Sequence, residues 1–479
     1  MSPFDKARYE RLLEGLEATE VLFSALNDER RIDAQYFRKR YLAEDASRKH
    51  YSGITLGEVA FITDGPHGYH IVDESSNVAM LTAKCAKNWF ADRSQAEVIH
   101  VQTHNANQRS SLEVNDLILS TRGTVGACAL VEPDALPANI DQDVARISIR
   151  NDAPVSPRYV LTYLNSSFGQ DWIERNATGM VQQGLSLSKV RELPVPILSS
   201  DFQDKIDGLI LEASSARSNA RYSLQQAEHT LLQALGLDAW TPPEALSYVR
   251  SSGEAFAAGR FDAEYFHPAK AQALVDLHAL SDVCVGDLFD SIRDLWQPTE
   301  AAGLPVRNYD LTDALDPFLD PSKPTTAPEE IASTKKCIAA GDLVVSRLRS
   351  YLQEIAVVLP SDDGITAVAS TEFIVLRPKK EGTLSVEALL IYLRSQLPQI
   401  VFKWSQDGSN HPRFDERELL NLPVPRVLIS DHANYETAVR EMVAQRQRAA
   451  SLLDAAKRAV EIAIEESEPA ALRYLRNVL

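Results

Sequence analysis

The chain is predicted to be an α+β protein built as a tandem repeat: two mixed globular domains, each followed by a long helix, with the two helices paired as an antiparallel coiled-coil spacer. Three observations predict this. An internal duplication holds one register, each copy carries short β-rich runs broken by Gly, Pro and Asn, and each copy closes on a long helical seam.

The duplication comes first, because a missed repeat misassigns the whole fold. RIDAQYF at Arg31 to Phe37 returns as RFDAEYF at Arg260 to Phe266, an offset of 229. Tyr163-Leu164 returns at the same offset as Tyr392-Leu393, Thr178-Gly179 as Asp407-Gly408, and the LPVP of Leu193 to Pro196 as that of Leu422 to Pro425. NDLILS at Asn115 to Ser120 matches GDLVVS at Gly341 to Ser346 at an offset of 226, so three residues differ in the variable stretch before it and are restored after it. Chance does not hold a register over this distance. The copies run over about 31–236 and 260–466.

Within the first copy, residues 54–198 read as an α+β globule, with strand-like runs at Asp116 to Ser120 and Ala145 to Ile149 and a helix expected over Pro157 to Asn176. From Asp201 to Leu235 there is no Pro, and a seam runs Ile206, Ile210, Ala213, Arg217, Ala220, Leu224, Ala227, Leu231, Ala234. Its alternating steps of three and four residues mark a coiled-coil stripe. The second copy repeats it as Tyr435, Val439, Met442, Arg446, Ala449, Leu453, Ala456, Val460, Ala463, with one arginine at the same place. Each helix could pack on its own globule. The preferred reading is that they pack on each other, because the small alanines let the axes approach and a globule offers no partner ~40 Å long at ~1.5 Å per residue. The expected boundaries are an N-terminal helical segment 1–30, a first domain 31–198, its helix 199–240, a second domain with connector 241–427 and its helix 428–479. Residues from Tyr9 to Leu26 and from Glu468 to Leu479 look helical and either complete the spacer ends or dock partners.

Composition narrows the class. Hydrophobic residues at 44% and charged residues at 24% describe an ordinary globular protein, and 479 residues exceed one core. The charged start and the lack of ~18 consecutive apolar residues predict no secretory signal, no membrane span and a cytoplasmic location. Cys85, Cys128, Cys284 and Cys337 lack metal or disulfide spacing and read as buried thiols. The net charge of −18 argues against a non-specific nucleic-acid coat. A DNA reader with this balance must concentrate its basic residues or borrow charge from partners.

The order of motifs resembles the specificity subunits of type I restriction-modification systems, over nearly the whole chain. TDGPHGYH at Thr63 to His70 looks like the early loop of their target-recognition domains, and NDLILSTRGTVGACALV at Asn115 to Val131 like their central hairpin. TGMVQQGLSLSKVRELPVPIL at Thr178 to Leu198 looks like the entry to their long helix. Each motif alone is weakly specific, and their order, twice over, is strongly so. The second copy departs from the pattern: DGPH has no counterpart near Leu288 to Pro298, and STRGTVG becomes SRLRSYL at Ser346 to Leu352. Two domains reading different half-sites are expected to diverge at such loops while keeping their frame.

Arg suits guanine edges, Asn or Gln suit adenine, and any cationic or N–H donor can hold phosphate. In the first domain the candidate DNA contacts are Lys84 and Lys87, then Thr121, Arg122 and Gly123, then Gln182, Gln183, Ser186, Ser188 and Lys189. His67 and Tyr69 could stack on or bond to DNA, or be turn residues. Arg122 is either a reader held outward beside Gly123 or a solvated hairpin arginine, and Gln182 or Gln183 either contacts adenine or shapes a loop. In the second domain the candidates are Arg347, Arg349 and Tyr351, then Lys403, Asn410, His411 and Arg413. Two arginines one residue apart on a strand end are expected to project to the same side.

No GxxxxGK[ST] phosphate loop occurs, and the nearest thing to a methyltransferase (D/N)PP(Y/F) is Thr241-Pro-Pro-Glu244, without the amide or the stacking aromatic. The chain is therefore expected to catalyse nothing, to hold no metal and to need no cofactor of its own. The resemblance implies a bipartite double-stranded DNA target, one half-site per domain. It also implies two methyltransferase subunits supplying S-adenosylmethionine chemistry, and room for a restriction subunit that uses ATP. A helix of about 30 residues spans ~45 Å and a DNA turn ~34 Å, which places the half-sites roughly one turn apart. Two other readings stay open: a protein scaffold or adaptor of a defence complex that never meets DNA, and a degenerate enzyme.

Overall fold

The structure is a computed structural model. It describes residues 6–478 except 18, 24, 25, 27–30, 49, 50, 69, 70, 74, 88, 180–182, 301, 302 and 381. The chain divides into two compact units, unit 1 comprising Met1–Ala216 with Arg448–Leu479, and unit 2 comprising Arg217–Gln447.

Unit 1 is organised on a five-stranded sheet of β1 (Ala60–Asp64), β2 (Trp89–Phe90), β3 (Leu117–Ser120), β4 (Cys128–Leu130) and β5 (Val144–Ile149), in the order β1-β5-β3-β4-β2. The β2–β4 pair is parallel and the others antiparallel. Every residue of β3 is buried, because both faces of the sheet are covered. The period of two sorts its side chains: Leu117 and Leu119 enter the larger core, while Ile118 joins a second cluster with Leu81, Ala129 and Ile140. The larger core receives α1 (Pro157–Asn165), α2 (Ser167–Asn176) and Val190 of the short α3 (Leu187–Glu192). Residues up to Ala216 of the long α4 (Ser200–Ala234) complete it.

The single helix expected over Pro157 to Asn176 is two. Ser166 takes an extended backbone (φ −74°, ψ 165°), and its hydroxyl accepts from Gly169 N while donating to Tyr163 O, so the chain caps a new helix. A Cβ on Gly169 would stand 2.3 Å from the Tyr163 carbonyl, which ties glycine to this elbow.

Unit 2 repeats the architecture with β6 (Phe289–Ile292), β7 (Phe318–Leu319), β8 (Leu343–Ser346), β9 (Ile355–Val358) and β10 (Phe373–Pro378), in the order β6-β10-β8-β9-β7. Again only the β7–β9 pair is parallel. Leu343 and Val345 face the larger core and Val344 the smaller one. The helices follow in the same sequence: α5 (Val386–Arg394), α6 (Gln396–Ser405), α7 (Glu416–Leu420) and α8 (His432–Glu465). Ser395, in register with Ser166, splits α5 from α6 with φ −72° and ψ 166°. The RxDxxYF motifs fold alike: Arg31 pairs with Asp33 and lies over Tyr36, as Arg260 pairs with Asp262 and lies over Tyr265.

The helical seam residues are placed as follows. In unit 1, Ile206, Ile210 and Ala213 share one cluster with Ala449, Ala456, Val460 and Ala463 and with the domain core, so packing on the globule and on the other helix coexist. There Ser199 bonds Glu468 and Arg448 pairs with Glu212. In unit 2, Ala220, Ala227 and Leu231 share a cluster with Tyr435, Val439 and Met442, and Arg446 reaches Asp316 at 3.0 Å. Ala234 is exposed, and Leu224 and Leu453 are half-buried.

Two further expectations change. The N-terminal helix covers only Lys6–Leu13, and Gly15 follows it with φ +78°, a left-handed stop. Cys85 and Cys128 are buried, but Cys284 and Cys337 are half-buried. Cys284 is exposed enough because it caps the four-residue helix Val285–Leu288 instead of filling a core. Among the described residues, no helix is long and apolar enough to cross a membrane.

Candidate nucleic-acid interface

In unit 1, β3 ends at Ser120 and the chain turns through Gly123, whose φ of +73° is left-handed. Thr121 is buried and commits both donors, N and Oγ1, to the Asp143 carbonyl at 2.8 and 3.0 Å. Its hydroxyl proton is therefore not available to a base. Thr178 and Gly184 exchange two backbone hydrogen bonds of 2.9 and 2.8 Å, closing residues 178–184 as a hairpin. That hairpin is fastened to the strand end by the Arg122–Gly184 bridge and by Leu185 N donating to Thr121 O at 2.9 Å. The early loop joins the same surface, since Gly65 N donates to Asp141 O at 3.1 Å. A Cβ there would lie 1.8 Å from the Ile140 carbonyl, so only glycine permits the approach.

The candidates on this surface are not equivalent. The half-exposed Arg122 pairs with Asp143 at 3.2 Å. Gln183 is exposed on the hairpin, and Tyr69 and Gln182 lie outside the described residues. Lys84 and Lys87 are exposed on and just after the turn Ala83–Ala86, whose Ala83 is 4.0 Å from where a Gly123 Cβ would stand. His67 is exposed and reaches Asp64 at 3.5 Å, which also takes Arg109 at 3.3 Å. Ser186, Ser188 and Lys189 have local roles: Ser186 caps α3, shares a hydrogen bond with Ser188 at 2.8 Å, and Lys189 Nζ pairs with Glu192 at 2.7 Å.

Unit 2 builds the same junction with different side chains. Asp407 and Arg413 exchange backbone bonds of 2.8 and 2.9 Å, closing 407–413 as a hairpin, and Leu348 bridges Arg413. Arg347 N donates to Glu372 O, and its Nε donates to Glu372 Oε2 at 3.0 Å. Arg413 approaches the same carboxylate at 2.7 Å. Arg413 and then Arg347 hold the Glu372 carboxyl below the usual carboxylate range against its partial burial. One carboxylate thus serves two guanidinium groups.

Arg347 and Arg349 do not project to the same side by strand alternation. Arg349 lies beyond β8 in left-handed backbone (φ 50°, ψ 58°), where the period of two no longer applies. Its guanidinium reaches the Asn410 carbonyl at 3.4 Å and His411 Nδ1 at 3.3 Å. Arg347, Arg349, Asn410, His411 and Arg413 are therefore brought together, with Tyr351 exposed on the adjoining turn. Lys403 is not with them. It lies over Trp404 and lines a cavity of about 360 Å³ together with His267, Pro242 and Ile400.

Sequence reasoning missed Asp143 and Glu372, the acids that hold the arginines. A signal existed, since the two stand at the repeat offset of 229. It was hidden because a carboxylate next to a candidate contact loop has no evident use until its guanidinium partner is known.

No family model and no curated protein matches the chain. Solved structures do. The solved structures it resembles include type I restriction-modification S subunits. One, from M. genitalium, has 13% identity over 89% of this chain and 96% of that chain, with a TM-score of 0.37. The HsdS subunit from Thermoanaerobacter tengcongensis has 14% identity over 87% and 97%, with a TM-score of 0.29. A type I restriction-modification structure described by its complex assembly and conformational transition has 15% identity over 90% and 98%, with a TM-score of 0.28.

Proposed function

We propose that the chain is the sequence-specificity subunit of a type I restriction-modification or related defence complex, reading a bipartite double-stranded DNA target. The observation that carries this reading is the duplicated junction. In both units a strand end, a closed hairpin and an acidic turn meet in one frame, while the side chains at the tip differ: Arg122 and Gln183 in unit 1, Arg347, Arg349 and His411 in unit 2. One frame with two sets of donors is what two different half-sites require.

The long helices serve as the spacer. Contacts of Ser199 with Glu468 and of Glu212 with Arg448 support an antiparallel pairing, since one chain number rises as the other falls. Methyltransferase subunits dock on the helices and supply S-adenosylmethionine chemistry, and a restriction subunit supplies ATP-driven cleavage; the chain itself catalyses nothing. Methylome sequencing of the host with and without the gene tests this. A split motif with a fixed gap, lost on deletion, is the expected result. No change in methylation together with no footprint of the purified chain on DNA would replace it with a protein scaffold, and turnover by the isolated chain with an enzyme.

A further inference from the structure

The acid at the recognition junction keeps its place in both copies while the arginine it holds moves. Asp143 and Glu372 are 229 residues apart and each follows the same turn, with Asp143 N bonded to Asp141 Oδ1 and Glu372 N to Ser370 Oγ. Asp143 holds Arg122. Glu372 instead holds Arg347, which matches Thr121 at the offset of 226, and Arg413, which matches Gly184 at the offset of 229. An acid beside a surface that meets phosphates weakens binding to any DNA, so its retention with a changed partner points to work on the guanidinium.

On the DNA-reading function proposed above, we infer that Glu372 is the positioning residue for a guanine reader, Arg347, in unit 2; in unit 1 Asp143 holds Arg122 by Nη1 instead, so the fork of Arg122 is partly engaged. Arg347 is gripped at Nε, and among the described residues its two terminal amino groups carry no hydrogen bond. Those groups form the fork that matches O6 and N7 of guanine. A long side chain already held in one rotamer loses less freedom when it docks. The same carboxylate offsets charge that would otherwise grip any phosphate, and Arg413, on its other side, keeps the cluster net positive. Specificity is gained by lowering the affinity for wrong DNA as much as by raising it for right DNA.

The test uses the full-length chain purified from its host with the subunits that accompany it. It is offered a pool of duplexes of random sequence, the bound fraction is sequenced, and affinity for one duplex lacking the enriched motif is titrated against salt. Wild type is expected to enrich a split motif with a guanine in the half read by unit 2. Glu372→Gln is expected to lower the preference for that guanine by ~10-fold, to raise affinity for the non-motif duplex severalfold, and to steepen its salt slope by about one. The other half-site stays as in wild type. Glu372→Asp keeps the charge but is one methylene too short to span both arginines, and is expected to fall between wild type and Glu372→Gln. Wild-type preference and salt slope in both Glu372 variants overturn the positioning role while leaving the specificity function standing. A wild-type chain that enriches no motif overturns the specificity function, and the positioning role with it.

Discussion

Asp141 shows how much a single side chain in the junction responds to burial. Desolvation pushes its carboxyl up to about 6, and its Oδ1 accepts from Asp143 N at 3.0 Å. Because the folded value lies above the unfolded one of 3.8, the folded state binds the proton more tightly. Stability contributed by this group is therefore present at low pH and lost as pH rises from about 4 to about 6. Asp141→Asn keeps an acceptor for Asp143 N without the buried charge. It is expected to raise the melting temperature at pH 7.5 and to flatten that part of the stability profile, measured by thermal unfolding across pH; a lower melting temperature at pH 7.5 would contradict it. Gly65 responds to space instead of charge. Gly65→Ala drives a methyl into the Ile140 carbonyl at 1.8 Å, and backbone on both sides leaves little room to yield. It is expected to cost about 1–3 kcal/mol and to free the loop from the Asp141–Asp143 turn, read as faster exchange of the residue-65 amide.

At the scale of elements, a buried ion pair ties the start of β3 to β5. Arg146 on β5 donates from Nε to Asp116 Oδ2 at 2.7 Å, and both side chains are nearly inaccessible. Burial raises the Asp116 carboxyl even so, with Arg146 among the groups that pull it back. Arg146→Met strands that carboxylate and is expected to cost about 3–5 kcal/mol, whereas Arg146→Met with Asp116→Asn recovers part of the loss; denaturant unfolding of both proteins decides. In unit 2 the corresponding Asp342 pairs with Arg377, which is 42% exposed, so Arg377→Met is expected to cost less. These elements were legible to different degrees. The runs at Asp116 to Ser120 and Ala145 to Ile149 announced β3 and β5 because apolar side chains serve both covered faces. The break at Ser166 was not seen, since no Pro or Gly interrupts Tyr163 to Ser167 and the signal is a hydroxyl cap. The left-handed Arg349 was equally hidden, because nothing local marks an arginine that leaves the strand and bonds to a hairpin about 60 residues away.

For the whole molecule, the proposed function makes the duplication a modular reader. Each junction is fastened to the strands of its own sheet, Thr121 to the turn after β4 and before β5 in unit 1, and Arg347 to the turn before β10 in unit 2. On the proposed function, the acids that hold the arginines temper the positive charge at the tips of a chain whose net charge is −18. The offset of 229 displayed this scaffold in the sequence, but not which tip residues meet, since hairpin closure at 178–184 and 407–413 rests on backbone bonds that any residue can make. The modular arrangement has a sharp consequence. Arg122→Ala is expected to relax one half of the split motif, and Arg347→Ala with Arg349→Ala the other half, each by ~1–3 kcal/mol per lost bidentate contact. Bound-duplex sequencing of the two proteins side by side reads both halves at once. A loss spread evenly over all sequences would assign these arginines to phosphate, and a loss in both halves from either protein would mean that the two junctions do not read independently.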